Sequence, residues 1–329
     1  MSTKLASEFF RLIIFNNTKE DKLEAYHRVY DTAFKILNVV HQKIDGNLRT
    51  AQNQDAMILF QMAVSKSLAI MSLVDGLQYK NSENGNSAII LDPTSIAVLT
   101  RTQFEAFSTF HTIFNSSNNQ DVITFLHTVW VIAGLKERQN GNLPEHPEFQ
   151  LKAKKELDII DKLIINVKTN PIFLNHAIER QSKILDWIEK GKFEMAFRNN
   201  NIVLLSQKEL FTNAGVNKNF ENQYSILSWY IHPSYISVLQ FGQMFEKKFN
   251  EEQAYTFLHI SRIILSMLII EYCTYFPIAR EEFEKQSQID QLLVYIDNKT
   301  YRSEHKFSVN AWASLEAELQ HLLIDRLKK

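Results

Sequence analysis

The chain is 329 residues long, 45% apolar and 22% charged, the balance of an ordinary globular protein with enough length to bury a large core. Disordered, collagen-like and low-complexity classes are excluded on that composition. Its 36 Lys and Arg against 37 Asp and Glu leave a formal charge of -1, so no overall field draws it to nucleic acid or anionic lipid, although a local basic site stays open. A single cysteine, Cys273, rules out an internal disulfide or a multi-thiol metal site and fits a reducing compartment.

The opening MSTKLASEFFRLIIF has no basic head, long apolar run or small-residue cleavage site, so the expectation is cytoplasmic residence without membrane insertion. Helical spacing of apolar residues predicts helices over 3–16, 20–44, 52–80, 93–115, 119–138, 147–169, 172–190, 219–246, 251–276, 279–297 and 311–327. Sustained alternation is scarce, and the expected fold is an all-α compact multi-helix bundle. Asn81 to Ser87 and Asn140-Gly141-Asn142-Leu143-Pro144 read as loops. Ile202 to Leu205 reads as a brief extended segment before Ser206 caps a short helix containing Glu209. The run Ile263 to Ile270, bounded by Arg262 and Glu271, is too short to cross a bilayer and reads as a buried helix. We expect one helical unit over 1–329, with a subdivision near 140–147 as the alternative and the motif-bearing region at 90–245.

Asp92-Pro93 supplies a capping carboxylate and a first-turn proline, so the helix carrying Arg101 should start there. Ile96, Leu99, Gln103, Phe107, Phe110 and Phe114 form an apolar stripe that reads as core, with Phe104 and His111 beside it. Arg101, Glu105, Ser108 and Thr112 form a second stripe, in which guanidinium and carboxylate meet one turn apart. On the surface this is an ordinary ion pair. In a crevice, Glu105 would hold the Arg101 fork while leaving donors for an anionic group.

Over 219–246, Tyr224, Ser228 and Tyr235 share a face, and His232 lies one turn beyond Ser228. Pro233 cannot donate to the carbonyl of Trp229 and biases His232 away from helical geometry, which predicts a kink or break at 233. An imidazole there either packs to close the kink or faces a polar cavity, where it is suited to exchange protons, with Ser228 or Tyr224 orienting a ring nitrogen.

Other constellations have simpler explanations. Glu24–His27 and Glu318–His321 each pair a carboxylate with an imidazole one turn apart, but the order of a four-helix dimetal site is missing, so no metal is expected. Cys273, His127 and His259 sit among core-like positions. Lys152, Lys154 and Lys155 are flanked by Glu148, Glu156 and Asp158, as on a solvated helix face. No glycine-rich phosphate loop, dinucleotide fingerprint, HExxH or nucleophile elbow occurs, so no cofactor is expected.

Arg101-Thr102-Gln103-Phe104-Glu105, followed by Tyr224, Leu227-Ser228 and His232-Pro233-Ser234, resembles a bacterial family of all-helical proteins of unknown function. Its members pair an R-x-x-x-E helix with a Y-x-x-L-S-x-x-x-H-P-S segment. Ser206-Gln207-Lys208-Glu209-Leu210 and Gly215 are similar to the short helix–turn stretch of that family, and the resemblance covers about residues 90 to 245. It implies an all-helical fold and convergence of Arg101, Glu105, Ser228 and His232. A wider similarity to helical toxin ribonucleases implies an arginine separated by four to six residues from a histidine; here those positions hold Leu227, Ile226 and Ser225.

The leading expectation is an interaction or ligand-sensing module whose site comprises Arg101, Glu105, Tyr224, Ser228 and His232, with an unknown protein or an anionic ligand as partner. One alternative is a metal-independent ribonuclease in stress or phage defence, with Arg101 on phosphate, His232 as acid/base and RNA as substrate. Another is a purely structural polar cluster. A homo-oligomer through exposed apolar faces is a further expectation.

Overall fold

The computed structural model describes residues 4–44, 49–82, 85–141, 146–232, 234–246, 249–302, 310, 312–317 and 320. Helix α1 (Lys4–Phe9) runs into a π-helical turn (Phe10–Phe15) and is followed by α2 (Lys19–Lys43) and α3 (Ala51–Leu73). A hairpin of β1 (Leu77–Lys80) and β2 (Ser87–Ile90) precedes α4 (Pro93–Phe110), which continues as π-helix over His111–Asn115. Next come α5 (Gln120–Asn140), α6 (Pro147–Thr169), α7 (Pro171–Leu174) and α8 (Ile178–Glu189). A second hairpin, β3 (Met195–Arg198) with β4 (Asn201–Leu204), leads to α9 (Gln207–Asn213) and α10 (Lys218–Ser228). Helices α11 (Tyr235–Glu246), α12 (Asn250–Tyr275), α13 (Pro277–Phe283) and α14 (Gln288–Tyr301) follow. The architecture is all-α, and the two antiparallel hairpins are the only sheets among the described residues.

The chain forms two compact units, one of Met1–Phe107 with Gly215–Lys329 and one of Ser108–Ala214. Stretch 140–147 lies inside the second, between α5 and α6, with 142–145 outside the described residues. In the first unit α12 is the central helix: Ile263 to Ile270 are all at most 3% exposed, and α2, α3, α13 and α14 pack around it. By length and composition both α3 and α12 suffice to cross a bilayer, but 89% of the most apolar window of α12 is buried, against 44% for α3. In the second unit Val122, Phe125, Val129 and Ile132 of α5 pack against Ile160 and Val167 of α6, Ile172 of α7, Ile184 and Ile188 of α8, and Met195 and Ile202 of the hairpin.

Three expected helices are interrupted. The helix expected over 52–80 ends at Leu73, because Gly76 adopts φ +84 and its N–H caps the Leu73 carbonyl at 3.0 Å, turning the chain into β1. A Cβ at Gly76 would stand 2.6 Å from Ile89 Cγ2, so the hairpin needs a glycine there. The helix expected over 172–190 splits at Asn175-His176-Ala177, where His176 Nε2 accepts the β4 amide of Ile202 at 3.3 Å. The helix expected over 279–297 splits where Ser287 Oγ accepts the N–H of Asp290 at 3.3 Å and starts α14.

Of the extended segment expected over Ile202 to Leu205, Ile202 to Leu204 fall in β4 and Leu205 lies just past it; β4 is joined to β3 by Asn199 and Asn200, both at positive φ. Ser206 and Glu209 form the expected capping box on α9. The chain breaks between α10 and α11, from Trp229 to Ser234; Pro233 itself lies outside the described residues, as do Glu318 and His321.

Candidate functional site

Helix α4 starts on a carboxylate that accepts three donors. Asp92 Oδ1 takes the Thr94 N–H at 2.9 Å and the Thr94 hydroxyl, and Oδ2 takes Ser95 Oγ at 2.6 Å. Burial pushes the Asp92 carboxyl up, but the Ser95 and Thr94 donors outweigh it and hold it below the usual carboxylate range. Helix α10 starts on Asn217, whose Oδ1 caps Phe220 N at 2.9 Å, while its N–H and Nδ2 donate to the carbonyls of Tyr301 and Thr300, each at 3.0 Å. Phe220 packs against Phe104 at 5.5 Å between ring centres, and Tyr224 against Phe104 at 5.7 Å. Those ring contacts fix one face of α10 against α4.

Two turns along α4, Arg101 meets that face. Its Nη2 donates to Tyr224 Oη at 2.8 Å and lies 3.2 Å from Glu105 Oε1, and Tyr224 Oη donates to the same oxygen at 3.1 Å. The guanidinium carbon stands 4.8 Å from the centre of the Tyr224 ring. Burial, seconded by the charge of Glu105, pushes the Tyr224 phenol up against the pull of Arg101. Arg101 Nε is buried without a hydrogen-bond partner among the described residues.

Ser228 does not point into this triangle: its hydroxyl donates to the Tyr224 carbonyl at 2.7 Å, one turn back, and closes the end of α10. His232 is exposed, and its carbonyl accepts Ser234 N and Ser237 Oγ, each at 2.7 Å. Its side chain lines a crevice of about 280 Å³ with Thr94, Tyr230, Ile231, Val238 and Phe241. Thr94 precedes Arg101 by seven residues on one face of α4, about 10 Å along the axis. The structure therefore brings Arg101, Glu105 and Tyr224 together and sets His232 beside the first turn of the same helix.

The lining residues Thr94, Tyr230 and Phe241 were not singled out from sequence. Thr94 carried a signal, since 94, 101 and 105 are spaced at seven and four. Helix α11 carried another: Tyr235 to Met244 contains no charged residue, and Tyr235, Ile236, Val238, Leu239 and Phe241 are all exposed. Among the described residues no group of three or more His, Cys, Asp or Glu is placed to hold a metal ion. Glu24, one of the carboxylates considered as a ligand, pairs with Arg11 at 2.8 Å and Arg28 at 3.1 Å.

Compared with protein-family models, with curated proteins and with solved structures, the chain matches none.

Proposed function

We propose that the chain is an interaction module whose contact surface is the crevice at His232 together with α11. The observation that carries this reading is the charge-free, solvent-facing stretch Tyr235 to Met244 of α11, with Val238 and Phe241 forming one wall of the crevice and Tyr235, Ile236 and Leu239 continuing the apolar surface. A monomer gains nothing by exposing five large apolar side chains on one twelve-residue helix, whereas a partner side chain seated in the crevice would bury them. His232 and Thr94 then supply the polar rim. The Arg101–Glu105–Tyr224 triangle holds α10 on α4 and so fixes the place where His232 emerges.

The ribonuclease reading has less in its favour. It asks Arg101 and His232 to act on one phosphate, yet Arg101 Nη2 is engaged by Tyr224 and Glu105, and the crevice opens about two turns away along α4.

A photo-crosslinking residue at Val238 in living cells is the direct test. We expect a discrete adduct, with another protein or a second copy of this chain, that Phe241→Glu abolishes. A labelling pattern no different from that of the same probe at exposed Glu281 would overturn the reading.

A further inference from the structure

A second cleft lies wholly within the Ser108–Ala214 unit, between the C-terminal half of α5 and the turn joining α8 to β3. Its volume is about 490 Å³, within the range of small-molecule sites. Three of the chain's eight glycines line it: Gly134, Gly141 and Gly191. Gly191 is explained by its backbone, since φ is +68 in the turn after α8. Gly134 is not. It sits inside α5, where glycine is a poor helix former, and a Cβ added there would find nothing within 4 Å. No neighbour demands a small residue at 134; the position leaves open space at the cleft surface.

The walls around that space have a consistent chemistry. Trp130, one turn before Gly134, and Phe193 supply aromatic surface, both half-buried. Glu137 and Glu194 bring two carboxylates against the single ammonium of Lys190. Glu194 Oε2 is buried yet takes no hydrogen bond among the described residues. A shielded carboxylate oxygen without a donor is costly, and buried acceptors are ordinarily satisfied. An N–H donor arriving with a ligand would satisfy it.

We propose that this cleft binds a flat aromatic cation carrying N–H donors. Its ring lies over Gly134 against Trp130 and Phe193, and its charged N–H edge meets Glu194. Aromatic faces and carboxylates both attract such a cation. The site shares no residue with the crevice at His232, so it stands or falls independently of the interaction surface.

Benzamidine is a suitable probe, with benzoate as its anionic counterpart, titrated against the full chain and followed by tryptophan emission. We expect saturable benzamidine binding with a Kd on the order of 0.1–1 mM and none for benzoate. Trp130→Phe should abolish the emission change, and Glu194→Gln should weaken binding about tenfold. Gly134→Leu should block the site while raising Tm by a few degrees, because a better helix former enters open space; Gly134→Ala should raise Tm and keep binding. Absence of saturable benzamidine binding, equal binding of benzoate, or full binding by Gly134→Leu would each overturn the proposal. So would an emission change that survives Trp130→Phe.

Discussion

Arg262 on α12 donates through Nη2 to Asp297 Oδ1 on α14 at 2.9 Å, with the two side chains only 3% and 4% exposed. Ser266 Oγ donates to the other carboxylate oxygen at 2.9 Å. Burial pushes the Asp297 carboxyl up against the pull of Arg262 and Ser266. Such a pair adds little over an apolar isostere, but removing one member strands a buried charge. Asp297→Ala should therefore cost about 3–5 kcal/mol in urea unfolding, and Arg262→Met combined with Asp297→Leu should recover most of it. A loss under about 1 kcal/mol for Asp297→Ala would show that water already reaches the pair.

His259, one turn before Arg262, gives the first unit an acid-sensitive term. Desolvation, then the charges of Arg262 and Lys22, push its imidazole down to about 3 from an ordinary 6.5. The folded state keeps the ring neutral while the unfolded chain takes up a proton. The stabilisation is complete above about pH 6.5 and is lost as pH falls towards 3, with a slope no steeper than about 1.4 kcal/mol per pH unit. His259→Leu should flatten that slope in unfolding curves measured from neutral pH downward.

Four helices of the first unit meet on a sealed polar network. Gln103 on α4 donates to Ser67 Oγ at 2.6 Å and to the Ala63 carbonyl at 3.1 Å on α3, and accepts from Ser261 Oγ on α12 at 2.5 Å. Tyr26 on α2 shares a 2.8 Å hydrogen bond with Ser261, and burial pushes its phenol up to about 12. Gln103→Leu keeps the volume and removes the hub, leaving hydroxyls unsatisfied in the core. A loss of about 2 kcal/mol is expected in denaturant titration.

Tyr224→Phe tests the triangle without disturbing the ring packing. It deletes the hydroxyl shared by Arg101 and Glu105 while keeping the contact with Phe104. The expected loss is about 1 kcal/mol, with crosslinking from Val238 unchanged. If that crosslink disappeared while Tm held, the triangle would belong to the contact surface itself.

Periodicity was a sound guide where burial alone decides the structure. Helix α6 spans the expected residues 147–169, and of the stripe Ile96, Leu99, Gln103, Phe107, Phe110 and Phe114 every member but the partly exposed Leu99 is buried. It failed where a distant partner decides. Arg262 and Glu271 read as the polar limits of an apolar run, yet both are buried, because Asp297 and Arg302 neutralise them from the far end of α14. No local pattern carries that information. The break at His176 likewise depends on an amide of β4, 26 residues away. Gly76 was a local turn signal of ordinary chemistry, outweighed by the helical spacing around it. Within the candidate site, the one-turn meeting of Arg101 and Glu105 was legible from spacing; the offset of His232 towards Thr94 depends on how α10 lies across α4.

The strap that returns the chain to the first unit is fastened late. Val216 bridges Arg302, Asn217 donates to Tyr301 and Thr300, and Arg302 in turn meets Glu271 at 2.7 Å. Thr300, Tyr301 and Arg302 all leave the ribosome after α12. During synthesis, then, the continuous Ser108–Ala214 unit has all of its residues in hand while the first must wait for position 302. Until Arg302 emerges, the buried Glu271 carboxylate of α12 stands without that guanidinium, in a core most of which is already translated.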